Sequence, residues 1–357
     1  MITSNENKTT THHQIHWGNA ANMQAIEAES VDLVVTSPPY PMIEMWDEIF
    51  AAQETSVKEA LKQGDGPASF EAMHQILDKV WAEVYRVLKV GGIACINIGD
   101  ATRTIDKHFR LYSNHARILQ YCILLGFSNL PTILWRKQTN APNKFMGSGM
   151  LPPGAYVTLE HEYILILRKG NKRNFKTAAE KLNRSESAYF WEERNVWFSD
   201  IWDLKGVKQK LSSQKSRDRS AAYPFELAYR LVNMFSVKGD TVLDPFLGTA
   251  TTTLAAIASK RNSIGYEIDP ELEDTITEQI LDANLPAASI DFLQKRIARH
   301  LEFVHQRQLL KGANAFKYES VNYGFRVITR QEVKIRFEEL KGVKSIGGGS
   351  FEAEYGE

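Results

Sequence analysis

Residues 241–267 read TVLDPFLGTATTTLAAIASKRNSIGYE. Thr241–Asp244 has the short apolar pattern of a buried strand, residues 249–258 that of a helix, and Asn262–Glu267 that of a second strand. The turn between the first strand and the helix carries Asp244, Pro245, Phe246, Gly248, Thr249 and Thr251. A glycine-bearing turn at a helix N-terminus exposes backbone N–H groups, so a polar ligand can approach the main chain there. Glu267 follows Asp244 by 23 residues. In nucleotide-binding α/β folds an acid about 20 residues beyond the turn accepts hydrogen bonds from ribose hydroxyls. The same residues also fit an ordinary strand–turn–helix with Glu267 solvated. No G-x-G-x-x-G or G-x-x-x-x-G-K-[ST] pattern occurs, which disfavours a dinucleotide oxidoreductase and leaves ATP hydrolysis unsupported.

Working outward, strands and helices alternate. Residues 31–35 (VDLVV) predict a strand. Met73, Leu77, Val80, Val84 and Leu88 recur at spacings of three and four and predict a helix over 69–89, ended by Gly91-Gly92. Strands are predicted at Ile93–Ile98, Ile133–Trp135 and Tyr163–Leu167, and helices at 114–125 and 225–235. The alternation predicts an α/β sheet. Residues 140–222 differ: they are rich in Asn, Lys, Arg, Ser and Gly with interleaved aromatics, and predict a smaller irregular region. Leu293, Ile297, Leu301 and Val304 mark a C-terminal helix whose apolar stripe reads as packing. The last fifteen residues, with Gly347–Gly349, read as flexible.

Bulk properties set limits. The chain has 357 residues, zero formal net charge and two cysteines. Cys95 and Cys122 read as buried spectator thiols, too few and too far apart for a disulfide framework or a zinc site. The polar start MITSNENKTTTHHQ lacks an apolar core, and no apolar run is long enough to span a bilayer, so a cytoplasmic protein without a metal is expected. Charge is unevenly distributed. Residues 168–184 carry seven basic and one acidic side chain, and residues 205–219 carry six and one. Such clusters suit phosphate tracking, because each neutralised phosphate releases counterions; they also suit solvated loops.

After the strand at 31–35 come Thr36, Ser37, Pro38, Pro39 and Tyr40. Consecutive prolines stiffen the turn and present carbonyls without N–H donors. A nucleobase amino group has two N–H donors and needs two acceptors. Ser37 Oγ and the Pro38 carbonyl form a candidate pair, and Tyr40 offers a ring for stacking. Alone, the segment is equally a proline-rich turn.

Together, these motifs resemble the bacterial and archaeal DNA amino-methyltransferases in which the catalytic motif precedes the cofactor motif. The resemblance extends over residues 15–270. It implies a Rossmann-like S-adenosylmethionine-dependent fold with a mostly parallel twisted sheet and a smaller target-recognition region. The expected organisation is a catalytic half at 1–140, target recognition at 141–222, a cofactor half at 223–285, and a helical extension with a flexible tail at 286–357. It implies catalysis by Ser37, Pro38, Pro39 and Tyr40. Cofactor contacts fall to Asn19, Thr36, Asp244, Pro245, Phe246, Gly248, Thr249, Thr251 and Glu267. The base pocket or DNA falls to Trp135, Lys137, Arg168, Lys169, Lys172, Arg173, Lys208, Lys210, Arg217 and Arg219.

The implied partners are double-stranded DNA and a cognate restriction endonuclease acting separately. The implied reaction is direct transfer of a methyl group to a flipped base. No Pro-Cys nucleophile is present for attack through carbon 5 of cytosine. Within the family, Ser at the first motif position leans toward N4 of cytosine, and Asp or Asn toward N6 of adenine. Two departures stand out. Ala250 replaces a usual second glycine, harmless if φ is negative there, and Tyr223 replaces a frequent Lys. Rival classes are an enzyme acting on RNA or a protein amide, and a non-enzymatic binding protein on a decayed fold.

Overall fold

The computed structural model describes residues 9–137, 146–206 and 223–356. Ten strands form one sheet: β1 (Thr9–Trp17), β2 (Val31–Thr36), β3 (Leu88–Ile98), β4 (Phe127–Lys137), β5 (His161–Lys169), β6 (Ile201–Leu204), β7 (Thr241–Asp244), β8 (Asn262–Glu267), β9 (Glu339–Gly347) and β10 (Ser350–Gly356). Their order is β6-β4-β5-β3-β2-β7-β8-β1-β10-β9. The central strands β3, β2, β7, β8 and β1 are mutually parallel. Strand β5 is antiparallel to both β3 and β4, and β10 is antiparallel to both β1 and β9. All six residues of β2 are buried, as expected of a central parallel strand covered on both faces.

The helices are α1 (Asp47–Gln53), α2 (Thr55–Lys62), α3 (Gly66–Val87), α4 (Asn114–Leu125), α5 (Ala178–Glu186), α6 (Trp191–Trp197), α7 (Phe225–Phe235), α8 (Thr251–Ala258), α9 (Glu273–Ile280) and α10 (Leu285–Lys311). Asp65 caps α3 by accepting the Ala68 N–H, with a proline in the first turn. The apolar stripe of α3, including Met73, Leu77, Val80 and Val84, packs on Val34, Ala94 and Ile96 from one face of the sheet. Leu227, Leu231 and Val232 of α7, with Ala255 and Ala256 of α8, pack on Leu33, Val35, Cys95 and Ile164 from the other. This makes three layers.

The chain passes from β2 to β3 through α3 on one face, and from β7 to β8 through α8 on the other. Neighbouring strands β2 and β7 therefore flank a topological switch point, where open α/β sheets bind ligands beyond the strand carboxyl ends.

Several expectations need correction. The helix predicted over 69–89 ends at Val87, and Gly91-Gly92 lie inside β3. Leu88 already pairs with Val31, and an irregularity follows before Leu33 meets Ile93. Gly91 has φ +90°, and a Cβ on Gly92 would sit 2.9 Å from the Asp32 carbonyl oxygen. The glycines thus form a strand irregularity, not a helix cap. Within 141–222 the strand expected at Tyr163–Leu167 is part of β5, β6 follows it, and both belong to the main sheet. The tail is not loose: β9 and β10 form a hairpin that pairs with β1 and buries Phe351, Ala353 and Tyr355. Gly347, Gly348 and Gly349 all have positive φ and make its turn. On α10 the expected stripe is only half-buried and Leu301 is exposed; the buried positions are Arg296 and His300. Cys95 and Cys122 are free and buried, as expected, and burial raises both thiol pKa values. Among the described residues no helix is long and apolar enough to cross a membrane.

Candidate active site

A cleft lies beyond the carboxyl ends of β1, β2, β7 and β8. Asp244, at the end of β7, is buried and uses both carboxylate oxygens. Oδ1 accepts from Thr36 Oγ1 at 2.6 Å and from the Phe246 N–H at 3.1 Å. Oδ2 accepts from Thr252 Oγ1 at 2.7 Å and from the Tyr223 hydroxyl at 3.2 Å. Burial raises the Asp244 pKa, and these donors oppose the rise. With its oxygens so engaged, Asp244 ties the ends of β2 and β7 together and shapes the loop. Thr36 is buried in the same knot.

The loop continues through Gly248, whose φ of +55° favours glycine. Its N–H donates to Glu267 Oε2 at 2.8 Å, and the Asp269 N–H donates to Oε1 at 2.9 Å. Burial lifts the Glu267 pKa to about 7 against these two bonds. Ala250 has φ +64°, contrary to the negative value that would make it harmless. The left-handed region costs a non-glycine residue about 1–2 kcal/mol. Its methyl is fully buried with Leu247 and Ile257. Asn19 is exposed at the cleft mouth, donating to Gln53 Oε1 at 2.8 Å and accepting the Ala21 N–H.

Trp46, Phe50, Ile76, Leu77 and Phe246 supply apolar lining to the same cleft that Glu267 and Asp269 line. An apolar slot with a carboxylate at the end of the second strand suits an adenosyl group. The apolar residues would hold the ring, and ribose hydroxyls would donate to Glu267. Pro245, Thr249 and Thr251 also line the cleft.

Ser37, Pro38 and Pro39 line the same cleft. Beyond them, a polar row crosses four adjacent strands: Ser37 after β2, Asn97 on β3, Glu162 on β5 and Lys137 on β4. The Tyr40 hydroxyl donates to Glu162 Oε2 at 2.8 Å and lies 3.2 Å from Ser37 Oγ. Asn97 Nδ2 donates to Glu162 Oε2 at 2.7 Å and to the Tyr40 hydroxyl at 2.8 Å. Lys137 pairs with Glu162 Oε1. The Tyr40 ring lies so close to Gly99 that a Cβ there would stand 2.9 Å from Cε2. Burial and the adjacent Glu162 charge raise the Tyr40 pKa.

Other expected contacts fall elsewhere. Trp135 is fully buried and donates its indole N–H to the Leu204 carbonyl, so it packs the core and does not line a base pocket. Because β5 is antiparallel, its last residues lie beside the amino-terminal part of β3, with Arg168 opposite Ile93. Arg168, Lys169, Lys172 and Arg173 are thus at the opposite end of the sheet from the cleft. Lys169 donates to the Leu88 carbonyl, and Arg173 pairs with Asp240 at 2.6 Å. Lys208, Lys210, Arg217 and Arg219 lie outside the described residues.

Sequence reading missed Tyr223, Thr252, Asn97 and Glu162 as site residues. The available signal was polarity inside apolar runs: Asn97 within ACINI and Glu162 before YILIL.

The DNA methylase family pattern matches residues 31–278. Type II methyltransferase M.MthZI of Methanothermobacter thermautotrophicus is 52% identical over 98% of this chain and 96% of its own length. Type II methyltransferase M.MjaI of Methanocaldococcus jannaschii is 53% identical over 76% of this chain and 92% of its own. Among solved structures, the Thermus thermophilus protein TTHA0409 complexed with S-adenosyl-L-methionine is similar, with a TM-score of 0.57 and 34% identity, covering 75% of this chain and 94% of that one. The chain accordingly belongs to the N6/N4 DNA methylase family, whose methyl donor is S-adenosyl-L-methionine.

Proposed function

We propose that the protein methylates the exocyclic N4 of cytosine in double-stranded DNA, as the modification enzyme of a type II restriction–modification system. The observation that carries this reading is the position of Ser37 on the wall of the switch-point cleft, at the head of a row of polar groups. Its hydroxyl and the Pro38 carbonyl are acceptors for the two N–H bonds of an amine. The Tyr40 ring, anchored at its hydroxyl, offers a stacking surface worth about 1–3 kcal/mol per base. That offsets part of the cost of extruding a base from the duplex.

When bound, S-adenosyl-L-methionine supplies the methyl group. The chain itself supplies position: Glu267 and the Gly248 loop would hold the donor at one end of the cleft, and Ser37 and Pro38 the amine at the other. Positioning of this kind accounts for several kcal/mol of a barrier. Ser37 at the first motif position favours cytosine over adenine, and the names of the two Type II relatives support the restriction–modification setting.

The test is to incubate unmodified plasmid DNA with the protein and cofactor, digest it to nucleosides and identify the product by mass spectrometry. N4-methylcytosine is the expected product. N6-methyladenine would transfer the same geometry to the other base, and no methylated nucleoside would overturn the reading.

A further inference from the structure

We propose that Glu162 is a positioning residue and proton acceptor for methyl transfer, acting on the target amine through Tyr40 and Ser37. The inference rests on the reading that an exocyclic amine docks at Ser37.

The hydrogen-bond directions are forced. Glu162 is 7% exposed and, when ionised, only accepts. The Tyr40 hydroxyl, 2.8 Å from Glu162 Oε2, therefore donates to it. The Asn97 amide must turn Nδ2 toward the same oxygen, at 2.7 Å. With its one proton committed, Tyr40 Oη is an acceptor for Asn97 Nδ2 at 2.8 Å and for the Ser37 hydroxyl at 3.2 Å. Ser37 thus sends its proton away from the cleft, and although Asn97 Nδ2 also lies 3.4 Å from its oxygen, it keeps a lone pair for an incoming N–H. Asn97 is 2% exposed, and among the described residues its Oδ1 has no hydrogen-bond partner. Lys137, about one third exposed, pairs with the other carboxylate oxygen and holds Glu162 in place.

The proton count follows from this row. As the carbon–nitrogen bond forms and the cofactor's carbon–sulfur bond breaks, the amine must lose one proton. Ser37 Oγ takes it and passes its own hydroxyl proton to Tyr40 Oη. The Tyr40 proton goes to Glu162 Oε2, which ends as a neutral acid. Positive charge leaves the sulfonium and is cancelled on the carboxylate, so no net charge is stranded on the base. Before the proton moves, the Glu162 charge also favours the positive charge developing at nitrogen.

Single-turnover methyl transfer to unmodified duplex DNA, with cofactor and DNA affinities measured separately, tests the relay in E162Q, Y40F and the double variant. Glutamine keeps the shape but takes up no proton, and phenylalanine keeps the stacking ring. Each single variant is expected to slow transfer about 100-fold, with both affinities little changed. The double variant is expected to be no slower than the slower single one, because both break the same chain. Wild-type speed in E162Q, or a double variant slowed by the product of the two effects, would overturn the relay. If E162Q lost cofactor binding, Y40F alone would decide, with wild-type speed overturning the proposal and slow transfer at intact affinity supporting it. A wild-type protein that methylated no amine would instead sink the underlying function, so the two failures are distinguishable.

Discussion

The two ends of the cleft are built differently. At the cofactor end, the backbone N–H groups of Gly248 and Asp269 meet one carboxylate, and these contacts come from residues 244–269. At the base end, side chains spread from Ser37 to Glu162 and carried by four neighbouring strands meet in one row. The carboxylate contacts of the first end are local in sequence, while Trp46, Phe50, Ile76 and Leu77 bring its apolar lining from elsewhere in the chain. The second is non-local throughout. The difference teaches that binding and chemistry can be damaged separately.

Ser37→Ala makes the sharpest break. It removes a proposed acceptor at the reacting nitrogen, and transfer should fall about 100-fold or more, the scale of losing one oriented transition-state hydrogen bond. Cofactor affinity, measured by isothermal calorimetry, should stay near wild type. Retained transfer would remove Ser37 from the chemistry.

Glu267→Ala is the mirror image. Losing a charge-assisted hydrogen bond of about 1.5–3 kcal/mol should weaken cofactor binding by about 10- to 100-fold, while transfer at saturating cofactor changes far less. The wild-type pH dependence sharpens this. Burial raises Glu267 from the ordinary 4.5 to about 7, so the folded protein holds a proton there that the unfolded chain has released. Its protonation therefore stabilises the fold fully below 4.5, and that contribution is lost as pH rises through about 7. If ribose hydroxyls donate to the ionised Glu267 carboxylate, cofactor affinity should increase from about pH 6 to about pH 8, the window around the raised pKa. Glu267→Gln should flatten that rise, and an equal rise in the variant would assign the titration to another group.

Smaller effects test the supports of each end. Gly99→Ala puts a methyl against the Tyr40 ring. Overpacking of this kind costs about 1–3 kcal/mol, so thermal stability should drop and transfer should fall more than cofactor affinity does. Ala250→Gly is the mildest change. It relieves about 1–2 kcal/mol of left-handed strain but removes a buried methyl worth about 0.8 kcal/mol and loosens the unfolded chain. The net stability change should lie within about 1 kcal/mol, the sum of these opposed terms. A larger loss by denaturant titration would show that the methyl matters more to the packing around Leu247 and Ile257.

The same contrast decides what could be read from the sequence. Strands β7 and β8 and helix α7 fell at their expected positions because period and turn chemistry are local signals. The place of Glu267 at the end of β8, on the cleft that Asp244 also lines, was legible by its spacing from Asp244. Asn97 and Glu162 were not, because their adjacency depends on β5 inserting antiparallel between β3 and β4. The basic run 168–173 misled for the same reason: its charge was visible, but not the direction of the strand that carries it to the far end. Gly347–Gly349 looked like slack chain, yet three positive-φ glycines before alternating Phe351, Ala353 and Tyr355 make a hairpin. Composition registers glycine content but not the sheet edge that uses it.

The most direct measurement is a crystal structure of the protein with duplex DNA and the demethylated cofactor. The account predicts a flipped cytosine whose N4 lies within hydrogen-bonding distance of Ser37 Oγ and the Pro38 carbonyl, with the adenosyl group between the Trp46–Phe50 wall and Glu267. A base bound away from the Ser37–Glu162 row, or a cofactor outside that cleft, would contradict it.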